Sequence, residues 1–126
     1  MDPNVAAFLE GLDSLDLYLS VLTVGEFQRG IEIKRRDDPA AADHIAGWVG
    51  HAEQNFADRI LPVDEKVSRI WGTLSADRSR PVVDTMIAAT AIAHDLVLVT
   101  RNIKDVKGVD MLVVDPWTVS HRLRKP

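Results

Sequence analysis

Strands and helices alternate along this chain, and that alternation predicts an α/β domain with a mostly parallel sheet. Three observations carry the prediction. "LVLVT" (96–100) is a continuous β-branched apolar run, the pattern of a strand covered on both faces. "LYLSVLT" (17–23) contains alternating and β-branched apolar residues and reads as a buried strand. Between them Ile45, Val49, Ala52, Phe56 and Ile60 recur at spacings of four, three, four and four, an amphipathic helical face.

Taken in order, Pro3 to Leu12 predicts a short helix with Asp2 as its cap, Val5, Phe8 and Leu9 on one side, and Gly11 as its end. The strand 17–23 follows, and Thr23 or Ser20 can cap a helix from Val24 to about Arg36. Pro39 opens the amphipathic helix. "ILPVD" (60–64) predicts a very short strand leading into a helix from Asp64 to about Ala76, with Val67, Ile70, Trp71 and Leu74 facing inward. "DRSRP" breaks the chain before the apolar helix "VVDTMIAATAIAH" (82–94), which His94 closes as a cation at the dipole's negative end. After "LVLVT" come the polar turn "RNIKDVKGVD" and a last strand, "MLVVD" (111–115), stopped by Pro116.

The chain of 126 residues is read as a single domain, with a basic tail over 120–126 that suits either a flexible, frayed end or a minor electrostatic contact. It has no cysteine, which excludes disulfides, thiolate zinc sites and cysteine nucleophiles. Its apolar runs fall short of the ~20 residues of a membrane-spanning helix, and "MDPN" is no secretory signal, so the expected location is the cytoplasm, without membrane association. A net charge of −4 argues against nucleic-acid binding by bulk charge alone. His44 and His51 share one helix without a third ligand in register and are expected to be solvated. Trp48 and Trp71 fall on helical apolar faces and suit a core or an interface; Trp117 is expected to pack the last strand against a helix.

Three acids stand where strands end or helices begin. Glu26 is expected in the first turn after strand 17–23, Asp84 at the opening of the apolar helix, and Asp105 five residues beyond "LVLVT". A parallel sheet gathers ligands beyond its carboxyl ends, and oxygen ligands from separate segments suit hard divalent cations. Such a cluster can activate water for phosphodiester hydrolysis. Each acid also has a structural use: dipole compensation for Glu26, helix capping for Asp84, and turn formation for Asp105.

"LSVLTVGEFQRGIE" (19–32), "RPVVDTMIAATAIAHDLVLVTRNIKDV" (80–106) and "VVDPW" (113–117) closely resemble the PIN-domain toxins of VapBC-type toxin–antitoxin systems, particularly the FitB-like branch. The resemblance implies a three-layer α/β/α PIN fold and a Mg²⁺- or Mn²⁺-dependent endoribonuclease. It implies RNA as substrate, a VapB-like antitoxin as silencing partner, and a homodimer. Carried over, Glu26 matches the acid of "S-x-x-T-x-x-E", Asp84 that of "D-x-x-I-A-A-T-A", and Asp105 the acid after "T-R-N". These three are the implied catalytic residues and metal ligands, with Thr100 and Asn102 holding waters or carboxylates beside them. Arg29, Arg80 and Arg101 at the rim are the candidate phosphate contacts, and Lys104 flanks the same turn as Arg101.

One departure stands out. PIN toxins begin with a strand ending in an aspartate, read as "L-D-T-N", and this sequence lacks an apolar strand before Asp2. The expectation is an N-terminally short PIN domain whose first acid is missing, with weak or no ribonuclease activity in this form. The alternative is a non-catalytic protein that dimerises or titrates an antitoxin. A nucleotide-binding module is disfavoured, because no glycine-rich loop follows any strand.

Overall fold

Ser20 ends a strand and starts a helix, and this one residue sets the first half of the fold. In a computed structural model, which describes residues 3–118 and 123–126 apart from the side chains of Leu9 and Ser14, Ser20 has extended dihedrals and its hydroxyl accepts the Leu22 N–H at 3.1 Å. That is an N-cap, so the helix begins at Val21 instead of Val24 and the strand keeps only Leu19–Ser20. The full order is α1 (Pro3–Glu10), a 3₁₀ turn (Ser14–Asp16), β1 (Leu19–Ser20), α2 (Val21–Asp37), α3 (Pro39–Asn55), β2 (Ile60–Leu61), α4 (Glu65–Leu74), α5 (Val82–Ala93), β3 (Leu98–Val99), a second 3₁₀ turn (Ile103–Val106) and β4 (Val113–Val114). The chain divides into two compact units, Leu17–Pro62 and the remainder. Among the described residues the parallel pairing predicted for one sheet is met as two parallel pairs, β1 with β2 and β3 with β4.

In the smaller unit, Asp38 ends α2 and begins α3. Its N–H donates to the Lys34 carbonyl at 2.8 Å and its Oδ1 accepts the Ala41 N–H at 3.1 Å, with Pro39 preset for the first helical position. The two helices pack together over Ile31, Ala42 and Val49, with Phe27 and Ala46 alongside. An ion pair at 2.5 Å, Arg35 to Asp43, joins them at the surface and raises the Arg35 pKa above its ordinary value through that hydrogen bond. The predicted face of α3 is shorter than its spacing suggested: the helix stops at Asn55, Phe56 becomes its C-cap, Ile60 enters β2, and Ile45 remains 38% exposed. Arg59 accounts for that stop. Its Nε donates to the Leu17 carbonyl at 3.0 Å and its Nη2 to the Asn55 carbonyl at 3.1 Å, and the guanidinium lies over the Phe56 ring.

In the larger unit, α4 is capped by Asp64, whose Oδ1 accepts the Val67 N–H at 3.0 Å, and it packs against α5 through Val67 and its neighbours. The buried side chains of α5 are small: Thr85, Ala88, Ala89, Thr90 and Ala91. Both threonine hydroxyls bond back one turn, Thr85 to the Pro81 carbonyl and Thr90 to that of Met86, so neither is buried unsatisfied. The helix ends in a Schellman motif, with Leu96 N–H on the Ala91 carbonyl at 2.8 Å, Asp95 N–H on that of Ile92 at 3.1 Å, and Asp95 at φ 54°. His94 is the C-cap. The core beneath joins Ala88, Ala91, Leu98, Val106, Val109, Met111 and Val113.

The basic end is tied down where it is described. Val113 and Arg124 exchange backbone hydrogen bonds at 2.7 and 3.0 Å, and Lys125 pairs with Asp110. Asp2 as a cap, the Leu9 side chain and residues 119–122 lie outside the described residues. No helix among the described residues is long and apolar enough to cross a membrane.

Candidate functional site

Helix α5 and the 3₁₀ turn that follows β3 position the acids of the larger unit. Asp84 is the third residue of α5 and half-buried, not the N-cap that its place in the sequence suggested. Pro81 takes the cap, with no side-chain capping bond, at φ −57° and ψ 128°. The proline ring fixes φ near that value, and the Pro81 carbonyl accepts both the Thr85 N–H at 3.0 Å and the Thr85 hydroxyl at 2.6 Å. The helix therefore starts without needing the Asp84 carboxylate as a cap.

Asp105 lies in the 3₁₀ turn Ile103–Val106, also half-buried, and that turn packs against α5. The turn is positioned from two sides. On one side β3 passes into it: the Thr100 N–H extends the ladder to the Val114 carbonyl at 3.0 Å, and the Thr100 Oγ1 accepts the Asn102 N–H at 3.0 Å. On the other side stands Arg80. Its Nη1 donates to the Asp105 carbonyl at 3.0 Å, its Nη2 to the Lys107 carbonyl at 3.1 Å and its Nε to the Leu74 carbonyl at 3.1 Å, while Asp77 supplies a carboxylate at 3.4 Å.

The Arg80 side chain is only 3% exposed. Its guanidinium is spent on holding the chain behind Asp105, so the expected phosphate contact gives way to a structural one. Nothing local in "DRSRP" marks this role, because the carbonyls it binds come from residues 25 and 27 positions further on.

Glu26 belongs to the smaller unit. With α2 starting at Val21, it is the sixth helical residue, exposed and beyond the first turn where an acid was expected. Dipole compensation falls off within that first turn, so the structural use weighed for Glu26 loses its basis. Arg29 is exposed on the same helix. Among the described residues no group of three or more His, Asp or Glu stands close enough together to hold a metal ion. His44 and His51 are exposed, and Trp48 is 66% exposed on α3. Trp117 is 39% exposed, with the Arg101 guanidinium over its ring, and its carbonyl accepts Asn4 Nδ2 of α1 at 2.9 Å.

The donor types of Asp84, Asp105 and Glu26, with the Thr100 hydroxyl and the Asn102 amide, are all hard oxygens or amides, and no thiolate is available. Each of these donor types suits Mg²⁺ or Mn²⁺.

The PIN domain family profile matches residues 1–109. Toxin FitB of Neisseria gonorrhoeae is 32% identical, over 91% of this chain and 87% of that protein. VapC ribonuclease Y4jK of Sinorhizobium fredii is also 32% identical, over 92% and 86%. Among solved structures, FitAcB from Neisseria gonorrhoeae superposes with a TM-score of 0.82 at 30% identity, covering 90% of this chain and 85% of that one.

Proposed function

We propose a function for this chain from one premise: it belongs to the family of PIN-domain toxins of VapBC- and FitAB-type toxin–antitoxin systems. The reading is a cytoplasmic, divalent-metal-dependent endoribonuclease toxin, held in check by a VapB-like antitoxin and acting as a homodimer. One observation carries the catalytic part. Asp84 is brought up by a helix that Pro81 caps, on an element packed against the turn of Asp105, and that turn is braced by the buried Arg80.

Asp84, Asp105 and Glu26 would hold the cation, Mg²⁺ or Mn²⁺. When bound, it supplies Lewis-acid charge for attack on an RNA phosphodiester. The protein's share is positioning. Thr100 accepts the Asn102 N–H and keeps its own hydroxyl proton to offer, so the pair is set to orient a water or a carboxylate. Arg29 and Arg101 are the phosphate contacts, and Arg80 acts through Asp105.

The test is RNA cleavage with and without Mg²⁺. Glu26→Gln, Asp84→Asn and Asp105→Asn should each lower cleavage by about 100-fold or more, the scale of losing one essential electrostatic group. A urea midpoint measured on Asp84→Asn beside the native chain separates lost cleavage from lost folding. Full cleavage in any of the three variants would remove that residue from the site.

A second reading, a non-catalytic protein that dimerises or titrates an antitoxin, is favoured by the apolar surface left open on α2 and α3, where Ile33, Ile45 and Trp48 are 41%, 38% and 66% exposed. Antitoxin binding without metal-dependent cleavage would select it.

A further inference from the structure

Beyond the carboxyl ends of β3 and β4 stands a contact that the carboxylates do not use. The parallel register sets Val99 beside Val114, so the segments that leave the two strands run on together. Arg101 follows on one and Trp117 on the other, and the Arg101 guanidinium lies over the Trp117 ring, 5.5 Å from its centroid. Both side chains are exposed.

The backbone under the indole is pinned. Trp117 N–H donates to Asp115 Oδ1 at 2.8 Å, its carbonyl accepts Asn4 Nδ2 at 2.9 Å, and the Asp115 carbonyl takes the Thr118 hydroxyl at 2.9 Å. An exposed cation–π pair contributes only ~0.5–1 kcal/mol to stability. That is a small return for an indole held 39% open to water.

The same arrangement suits a single-stranded nucleic acid. Every base has a π-face that stacks on an aromatic ring, and a guanidinium bonds to phosphate oxygens. A chain of net charge −4 does not hold RNA by bulk attraction, so its affinity must come from local contacts of this kind. We propose that Trp117 and Arg101 form a subsite for the RNA strand, Trp117 stacking one base and Arg101 meeting a neighbouring phosphate. Asp115 and Asn4 are positioning residues that fix the main chain beneath the ring. The subsite rests on the ribonuclease reading and adds to it the means by which the strand is gripped.

The experiment uses the full chain in EDTA with single-stranded oligoadenylate as probe. In a Trp48→Phe, Trp71→Phe background, Trp117 is the sole tryptophan and reports on its own stacking. Oligoadenylate should quench its fluorescence, and inorganic polyphosphate, which has the charge and no bases, should leave it unchanged. By anisotropy, Trp117→Leu in the otherwise native chain should weaken oligoadenylate binding by about 5- to 100-fold, the equivalent of one lost stack, while Trp117→Tyr retains most of it. With Mg²⁺, Trp117→Leu should raise KM for RNA and leave kcat nearly unchanged. Unquenched Trp117, or equal binding by Trp117→Leu, in a protein that cleaves RNA would overturn the subsite and leave the ribonuclease standing. Absence of both RNA binding and cleavage in the native chain would overturn the two together.

Discussion

Each unit of this protein uses one arginine to hold its chain, and the two arginines work in different surroundings. Arg59 in the smaller unit binds the Leu17 and Asn55 carbonyls with its side chain 12% exposed. Arg80 in the larger unit binds the carbonyls of Leu74, Asp105 and Lys107 at 3% exposure. The cores differ in the same direction. Three buried residues anchor the α2–α3 pair, whereas seven, from Ala88 to Val113, anchor the larger unit. The larger unit therefore fixes the main chain behind Asp105 with its own packing. Glu26 stands on a helix pair with a thin core and several open apolar side chains, an arrangement suited to surfaces that other molecules cover.

The sharpest test of that contrast is removal of the two arginines. Arg80→Met should destabilise the protein by about 3 kcal/mol or more, because it strands buried carbonyls, and should lower RNA cleavage by displacing Asp105. Arg59→Met should cost about 1–2 kcal/mol. Urea midpoints measure both, and equal losses would break the comparison.

Next in size, Val49→Ala in the smaller core should cost about 1.5 kcal/mol for its two lost methyl groups, against about 3 kcal/mol for Leu98→Ala in the larger one. The smallest effect is expected at Trp48. Its truncation to Ser should change stability by no more than about 0.5 kcal/mol, since the side chain is mostly in water, and any loss of dimer or antitoxin binding would then belong to the surface itself.

Much of the helical half of this fold was legible in the sequence. Pro39 and Asp64 announced helix starts, and Val67, Ile70, Trp71 and Leu74 announced the inward face of α4, because capping and 3.6-residue periodicity act within one or two turns. Strand lengths were not legible. In "LYLSVLT" Val21 and Leu22 are as apolar as Leu17 and Leu19, and only the Ser20 capping bond decides that Val21–Thr23 join a helix.

The site divides in the same way. Residue type and spacing marked Glu26, Asp84 and Asp105 as acids at element boundaries, and the resemblance to PIN toxins rests on those local words. Tertiary structure decided what two of these acids are not used for. Pro81 caps α5 in place of Asp84, and Glu26 lies past the first turn of α2.

Long-range contacts decided the rest. Arg80 looked like a phosphate ligand because its type is suited to one, and it became a brace because the chain beyond β3 returns to present carbonyls to it. Trp117, read as packing the last strand against a helix, also presents a ring 39% exposed beneath Arg101. Element type and the candidate acids follow from neighbours along the chain, which the sequence contains. Which polar groups are already satisfied, and which remain to meet a substrate, depends on partners far away in sequence, and only folding brings those together.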